Sequence, residues 1–301
     1  MEAYEQQRFW QACGLLPKAL RTAALSLPPP EQALVEELRL RTGLPLTLTM
    51  PEGERTVAGT EVTPGDLEQV LNTVTEYSRY TASESLRQGY LTAEGGFRVG
   101  VCGSVVLEGG AVAAIKELSS LNIRIPRERP GISLPILPLI CREGTREVVS
   151  TLILGAPGGG KTTFLRDMVR SLSDRRGVRV ALVDERGEIA AMHRCRPQLQ
   201  VGAHTDVMDA CPKAIAIPAL LRAMNPEVIA VDEVAVAEDV AAMERSAHAG
   251  TALLATVHGS SVAELRRKRL FAALLDTGVF SQAVCIRREG RRRLYEVERL
   301  C

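Results

Sequence analysis

The stretch GAPGGGKTT has the clearest chemistry in the sequence. It contains the pattern GxxxxGK[ST], whose backbone N–H groups and lysine surround the phosphates of a nucleotide. An apolar run, TLIL, precedes it and a helical segment, TTFLRDMVR, follows it, which is the context that such a loop requires. We predict that Lys161 reaches the β- and γ-phosphates of ATP and that Thr162 is a ligand of Mg²⁺. The residues predicted to bind the nucleotide are Gly155, Ala156, Pro157, Gly158, Gly159, Gly160, Lys161, Thr162 and Thr163.

Two carboxylates follow a second apolar run, VIAV. A pair of acids at the end of a buried strand is unfavourable unless a cation or a hydrogen-bond donor meets it. We predict that Asp232 holds Mg²⁺ through water, and that Glu233 orients the attacking water and acts as its general base.

Charged residues also end two other apolar runs. LVDERGEI places Asp184, Glu185, Arg186 and Glu188 at the end of a strand, where ligands bind in open α/β sheets. A strand end closed by salt bridges would have the same sequence, so both interpretations stay open. His258 follows LLATV, and it is either a structural hydrogen-bonding group or a sensor of the phosphate.

Two basic clusters lie near the end of the sequence. They have no interleaved aromatic residues, and the net charge of the chain is only +1, so a solvated face is favoured over a nucleic-acid surface. The first cluster is predicted on a helix and the second on a terminal hairpin: Arg266, Arg267, Lys268 and Arg269, and then Arg287, Arg288, Arg291, Arg292 and Arg293.

The composition bounds the class of protein. The chain has 301 residues and is 46% hydrophobic, which is enough for two domains. Seven scattered cysteines without a CxxC pair favour a reducing compartment over a disulfide framework or a zinc site. MEAYEQQRFW does not resemble a signal peptide, and ISLPILPLIC is too short to span a bilayer. We expect a cytosolic protein that reaches a membrane only through protein partners.

Residues 1–125 are predicted to form a mixed α/β domain. Thr63 and Asp66 have capping-box spacing around Pro64, and apolar residues then recur at helical spacing as far as Tyr77. The strand-like runs are ELRLRTGLPLTLT, FRVGVCGSVVL and LNIRI. The proline-rich residues 126–145 are predicted to be a linker or hinge.

Residues 146–301 are predicted to form a doubly wound α/β nucleotide-binding domain. Continuous apolar runs indicate strands buried on both faces of a parallel sheet, and helical segments separate them. One helix is expected over residues 261–278, with a capping box of Ser261 and Glu264 and a stop at Gly278. The four strand runs are VVSTLILG, VRVALVDE, EVIAVDEV and TALLATVHG.

Taken in order, these motifs resemble the ring-forming ATPases of type II and type IV secretion systems, which have a RecA-like core behind an N-terminal domain. The resemblance is closer still to the stage III sporulation AA family. Its motifs run nearly end to end in this chain: ELRLRTGLPL, EYSRYTASESLRQGYLTAEGGFRVGVCG, LSSLNIRIPRE, GAPGGGKTTFLRD, LVDERGEIAA, TDVMDACPKAIAIPALLRAMNPEVIAVDEV and ATVHG.

The resemblance implies a cytosolic ATPase in the mother cell of a sporulating bacterium. It would form a ring, expected to be a hexamer, dock on membrane proteins of a secretion-like channel between mother cell and forespore, and power assembly of the channel or transport through it. Glu185 falls in the acidic box of these ATPases and His258 in their His box. Arg98 and Arg124 match arginines that reach the γ-phosphate from the N-terminal domain, a task that suits a permanently charged, fork-shaped group.

The chain departs from the family pattern at three positions. Ala235 follows the acidic pair where a glycine is favoured, and Gln200 and His204 stand where an aspartate and an arginine are usual. Two other classes of function remain as alternatives. A nucleic-acid motor would be stimulated by nucleic acid, and a nucleotide-regulated scaffold would bind ATP without turnover.

Overall fold

The computed structural model describes residues 2–76, 89–290 and 292–300. Tyr77, Arg291 and most of the stretch EYSRYTASESLRQGY lie outside the described residues. The chain divides into two compact units. Met1–Arg127 and His193–Gln198 form the N-terminal unit, and Glu128–Met192 and Leu199–Cys301 form the P-loop unit.

The N-terminal unit is built on a six-stranded antiparallel sheet. Its strand order is β3-β2-β1-β6-β5-β4, and every predicted strand run of the first half forms part of it. The strands are β1 (Glu37–Arg41), β2 (Thr47–Met50), β3 (Gly53–Thr56), β4 (Tyr90–Ala93), β5 (Phe97–Glu108) and β6 (Ala111–Arg124). The described helices are α1 (Glu2–Cys13), α2 (Lys18–Leu25), α3 (Pro29–Gln32) and α4 (Pro64–Val74).

The predicted start of α4 is confirmed. The Thr63 side chain accepts a hydrogen bond from the Asp66 N–H at 3.2 Å, and the Asp66 carboxylate accepts one from the Thr63 N–H at 2.8 Å. Four apolar residues of this helix are buried on one face, in the positions that the periodicity predicts: Leu67, Val70, Leu71 and Val74.

The P-loop unit contains a seven-stranded sheet in the order β13-β12-β7-β11-β10-β8-β9. All neighbouring pairs are parallel except the hairpin of β12 and β13. The α/β fold predicted for this half is therefore confirmed. The strands are β7 (Thr151–Gly155), β8 (Val180–Asp184), β9 (Thr205–Asp209), β10 (Val228–Val231), β11 (Ala252–His258), β12 (Gln282–Glu289) and β13 (Arg292–Arg299).

Apolar clusters cover both faces of this sheet. Alternate residues of β7 point to opposite faces, so that Ile153 joins one cluster while Leu152 and Leu154 join the other. This is why the central strands appear in the sequence as uninterrupted apolar runs. β9 lies at the sheet edge, and its polar sequence TDVMD is only partly buried, so it lacks the apolar run that indicates β7, β8, β10 and β11.

The helices of the P-loop unit differ from the prediction at two places. The helix before Asn225, which the sequence indicates by the segment IPALLRAM, begins earlier, at Lys213, and contains Pro218. The single helix expected over 261–278 is two helices, because the chain is extended at Lys268. Like charges three residues apart, as in Arg266 and Arg269, disfavour a continuous helix. The helices are α5 (Lys161–Arg176), α6 (Lys213–Met224), α7 (Ala237–His248), α8 (Val262–Leu265) and α9 (Arg269–Asp276).

Most of the expected linker, residues 126–145, belongs to the P-loop unit. Ile136 and Ile140 are buried in its core. Asp167 of α5 accepts hydrogen bonds from the Gly131 N–H at 2.9 Å and from the Ser133 N–H at 2.8 Å. The chain therefore changes units at Arg127, and the proline-rich segment after it is packed against α5.

Across the described parts of the chain, no helix is both long and apolar enough to cross a membrane.

Candidate nucleotide site

The predicted phosphate-binding loop joins β7 to α5. Gly158 and Gly160 have φ angles of +68° and +96°, a region that residues with a Cβ atom rarely adopt. These two glycines let the chain turn back tightly between the strand end and the first turn of the helix. The N–H groups at the start of α5 have no partner inside the helix, and together with the helix dipole they favour an anion at this position.

Thr162, Asp232 and Thr256 meet beside this loop. The Thr162 hydroxyl donates a hydrogen bond to Oδ2 of Asp232 at 2.7 Å, so the structure brings the two predicted magnesium ligands together. The Thr256 hydroxyl donates to Oδ1 of the same carboxylate and accepts the Glu233 N–H at 2.8 Å. Asp232 therefore has a protein hydroxyl on each of its oxygens.

Lys161, His258 and Glu233 form a hydrogen-bonded chain. Nζ of Lys161 lies 2.9 Å from Nδ1 of His258, and Nε2 of His258 lies 3.2 Å from Oε1 of Glu233. An ammonium group can only donate, so Nδ1 accepts and the imidazole proton lies on Nε2, facing the carboxylate. Burial lowers the pKa of Lys161, and the charges of Asp232 and Glu233 act in the opposite direction. His258 thus lies between the predicted phosphate ligand and the predicted base.

The other oxygen of Glu233 pairs with Arg186. Their Nη1 and Oε2 atoms are 2.6 Å apart. The backbone of Glu233 has φ of +46°, which is uncommon for a residue with a side chain. Its N–H bonds to Thr256 and Asp232 hold the residue in this conformation and aim the carboxylate at the loop.

The two acidic residues at the end of β8, Asp184 and Glu185, have different roles. Asp184 is buried, and its carboxylate accepts hydrogen bonds from four backbone N–H groups, those of residues 188–191. Burial raises the pKa of Asp184, and these four donors oppose the rise. Asp184 therefore shapes the loop after β8. Glu185 instead forms an ion pair with Lys213, a lysine that is only 6% exposed.

A cavity of about 360 Å³ lies beside the phosphate-binding loop. Glycines and the two threonines of the loop form one part of its lining, and charged side chains from four strand ends form the rest. The lining residues are Gly158, Gly160, Lys161, Thr162, Thr163, Glu188, Asp232, Glu233, Thr256, His258 and Arg293.

The two arginines predicted to reach the phosphate lie in the N-terminal unit. Arg98 of β5 and Arg124 of β6 are directly opposite each other on neighbouring strands. The Arg98 guanidinium lies 3.8 Å from the centre of the Tyr90 ring, and Arg124 donates to Oε1 of Glu37 at 2.8 Å. Burial raises the pKa of Glu37, but the bonds from Arg124 and Arg39 outweigh it and leave the pKa below its usual value. A role for either arginine at the phosphate stays a prediction.

The departures from the family pattern lie in loops. The Gln200 N–H donates to Glu128 at 2.7 Å, and the His204 N–H donates to Ser173 at 2.7 Å. The exposed Ala235 donates its N–H to Asp239 near the start of α7. All three contacts are made by backbone atoms and therefore do not depend on the side chains that differ from the pattern.

The sequence prediction missed three residues at the site: Thr256, Lys213 and Arg293. Thr256 interrupts the apolar run LLATV, and a polar residue in a buried strand was the available signal. Lys213 carried no such signal, because its partner is 28 residues away. Arg293 was placed in a solvated cluster, but its Nε atom donates to the Gly159 carbonyl at 2.9 Å.

Comparison with solved structures defines the class of fold. The Legionella pneumophila ATPase DotB matches 88% of this chain and 76% of its own, with a TM-score of 0.58 and 19% identity. The pilus retraction motor PilT, solved with bound ADP, matches 88% of this chain and 79% of its own, with a TM-score of 0.61 and 18% identity. The fold is that of the RecA-like secretion ATPases with an N-terminal domain.

Within this class the sequence is more specific. Residues 7–295 match the family described as sporulation stage III, protein AA, and the chain belongs to that family. A curated relative, Stage III sporulation protein AA of Bacillus subtilis (strain 168), is 36% identical over 272 residues. The match covers 89% of this chain and 87% of the relative. The resemblance seen in the motifs is thereby confirmed.

Proposed function

We propose that this protein is a Mg²⁺-dependent ATPase that powers assembly of, or transport through, a secretion-like channel between mother cell and forespore. The observation that carries the enzymatic part is the meeting of Thr162, Asp232 and Glu233 beside the glycine loop, around a cavity of about 360 Å³. The family supports the sporulation context.

The donor set fits magnesium. Mg²⁺ is usually bound by one or two carboxylates together with water and phosphate oxygens, and not by a full protein cage. Thr162 and Asp232 supply one hydroxyl and one carboxylate, and within the described ranges no cluster of three or more His, Cys, Asp or Glu side chains could form such a cage. Bound Mg²⁺ would neutralise charge that develops on the phosphate oxygens.

The residues of the chain then have distinct roles in the proposal. Loop N–H groups and Lys161 bind the phosphates. Glu233 accepts the proton of the attacking water on a carboxylate oxygen, and water adds to the γ-phosphorus as ADP leaves. His258 and Arg186 hold the Glu233 oxygens at 3.2 and 2.6 Å, and each oxygen keeps a second lone pair that can accept a hydrogen bond from the water.

Glu185 is a weaker candidate for direct chemistry. Its ion pair with Lys213 supports a positioning role for the loop after β8.

Phosphate release from Mg-ATP by the purified chain tests the enzymatic proposal. We expect Glu233→Gln to keep ATP binding and to lower kcat by about 10² to 10⁴, the range for loss of a general base. Lys161→Ala should weaken nucleotide binding. Glu238→Gln is the matched control, because it makes the same change at an exposed residue of α7. ATP binding without turnover in the wild type would instead identify a scaffold, and strong stimulation by nucleic acid would identify a motor of another kind.

We also propose that the protein works as a ring, expected to be a hexamer, that docks on membrane proteins from the cytoplasmic side of the mother cell. Sedimentation with and without ATP, in the presence of cytosolic segments of the channel proteins, tests this. In such a ring, Arg98→Ala and Arg124→Ala should lower kcat if these arginines complete the nucleotide site of a neighbouring subunit. A monomer that hydrolyses ATP at the full rate would contradict the ring.

A further inference from the structure

Arg293 lies at the phosphate loop, although sequence alone placed it in a solvated basic cluster. Its Nε atom donates to the Gly159 carbonyl at 2.9 Å, and a Cβ atom on Gly160 would lie only 2.9 Å from the same nitrogen. The side chain also lines the candidate nucleotide cavity. Its position is therefore set by the loop itself.

The sheet register explains how a residue near the end of the sequence arrives there. β12 pairs in parallel with β7, with Ile286 beside Gly155, the last residue of β7. β12 continues for three residues beyond that level, and its hairpin partner places Arg293 opposite Arg288. The end of the hairpin where Glu289 pairs with Arg292 consequently lies beyond the carboxyl end of β7, where the loop begins.

The hairpin is anchored to the helix that follows the loop. Residues 293, 295 and 297 share one face of β13. On that face, Tyr295 stacks on Phe164 of α5, with ring centres 4.9 Å apart, and Val297 packs against the same core. Stacking of this kind fixes orientation as well as adding stability. Arg293 is thus held by a packed strand and not by a free tail.

The Arg293 guanidinium carries a charge that no carboxylate in the described part of the chain pairs with. None of the ion pairs formed among residues 2–76, 89–290 and 292–300 includes it, whereas the neighbouring Arg287 pairs with Glu296. In the cavity, Asp232 faces two hydroxyl groups and Glu233 faces Arg186. Among the described residues that line this cavity, Lys161 and Arg293 are the lysine and the arginine, and a polyphosphate is the anion that such a pair fits.

We propose that Arg293 is a phosphate-binding residue supplied by the same chain that supplies the loop, and that it contacts the phosphates nearest the ribose. Its contacts are with Gly159 and the space over Gly160, whereas Asp232, Glu233 and His258 gather around Lys161 and Thr162. This inference rests on the proposed nucleotide site. It goes beyond that proposal by assigning the α- and β-phosphates to the terminal hairpin.

The test measures the affinity of the full-length chain for ADP and for ATP with Mg²⁺, by titration calorimetry. Arg293→Gln can still donate to the Gly159 carbonyl but carries no charge, so it separates phosphate binding from bracing of the loop. We expect it to weaken ADP and ATP by the same factor, about tenfold, the effect of one charge-assisted hydrogen bond. The difference from wild type should shrink at high salt. Arg293→Lys should recover part of the affinity.

Arg292→Ala is the matched control, because the adjacent arginine lies on the opposite face of the same strand. It should bind both nucleotides as the wild type does. Unchanged ADP and ATP affinity in Arg293→Gln would overturn the inference, and so would a loss confined to ATP, which would place the arginine at the γ-phosphate. Failure of the proposed ATPase activity would give a different result: the wild type would bind ADP but release no phosphate from ATP. The ADP affinities of wild type and Arg293→Gln could then still be compared, so the inference about Arg293 would still be tested.

Discussion

A single hydroxyl group, that of Thr256, connects both acidic residues at the end of β10. It donates to Asp232 and accepts the N–H of Glu233, whose backbone is in the left-handed region. A buried donor or acceptor that loses its partner costs about 1–3 kcal/mol. The arrangement of the predicted base therefore depends on a residue that need not touch the nucleotide.

Replacement of Thr256 by valine tests this dependence. Valine keeps the shape but removes the hydroxyl, so we expect kcat to fall by about 10- to 100-fold, in line with that energy, while KM for ATP changes little. Thr256→Ser should restore most of the rate because it restores the hydroxyl. Steady-state kinetics, with thermal midpoints to verify folding, measure the effect. A serine variant as slow as the valine variant would contradict the positioning role.

Cys13 gives the N-terminal unit a specific sensitivity to alkaline pH. Burial raises the pKa of its thiol from 9.0 to about 12, with the Arg21 charge acting in the opposite direction. Below pH 9 the thiol is protonated in both the folded and the unfolded chain. Between the two pKa values only the unfolded chain loses the proton, so stability falls as the pH rises, by about 1.4 kcal/mol per pH unit.

We therefore expect wild-type protein to lose more stability than Cys13→Ala between pH 9 and 10.5. Urea unfolding followed by the fluorescence of Trp10, the one tryptophan of the sequence, measures the free energy of unfolding of this unit. The comparison is the change with pH, since the alanine variant also leaves a small cavity at every pH. Parallel pH profiles for the two proteins would show that Cys13 is not responsible.

At the scale of elements, the capping box of α4 is a local feature that contributes measurably to the stability of the N-terminal unit. Thr63→Ala removes the side chain that accepts the Asp66 N–H, and loss of such a cap costs about 1 kcal/mol. We expect a lower urea midpoint of the N-terminal unit. Thr22→Ala, the same change at an exposed position inside helix α2, should leave the midpoint almost unchanged or raise it, because alanine favours helix. Equal effects of the two substitutions would argue against the cap.

The helix that the sequence predicted over 261–278 shows where element-scale patterns fail. Its cap was predicted correctly on one side only: Ser261 accepts the Glu264 N–H, but the Glu264 carboxylate accepts from Ser260 and pairs with Lys268. The apolar spacing continued through RRKR, so periodicity alone could not reveal the break. The like charges of Arg266 and Arg269, which disfavour a continuous helix, do not enter that periodicity.

At the scale of the whole molecule, the predicted domain division has a thermodynamic test. If the N-terminal unit and the P-loop unit unfold separately, a nucleotide stabilises only the unit that binds it. At a hundred times its dissociation constant, Mg-ATP adds about 2.7 kcal/mol. We expect the urea midpoint for thiol labelling of the buried Cys285 in the P-loop unit to rise. The Trp10 transition in the N-terminal unit should not move.

Lys161→Ala is the control for this experiment. Because this variant should bind the nucleotide weakly, Mg-ATP should no longer raise its urea midpoint for labelling of Cys285. Midpoints for Trp10 and Cys285 that rise together in wild-type protein would mean that the two units unfold as one, and the domain prediction would be wrong.

The sequence by itself determined the loop, the strands and the acid pair of this protein, because each depends on residues close together in the chain. Glycines with left-handed backbone, a lysine and a threonine at fixed spacing, and strands buried on both faces all have local signatures. The order of these motifs was also enough to indicate the family that the comparisons show.

The tertiary structure alone decided which distant side chains meet. Lys213 pairs with Glu185, Thr256 bridges Asp232 and Glu233, and Arg293 reaches the loop from a hairpin more than a hundred residues away. The proline-rich segment, read as a linker, is packed in the P-loop unit for the same reason. Sheet order and register bring these residues together, and no periodicity within a single segment carries that information.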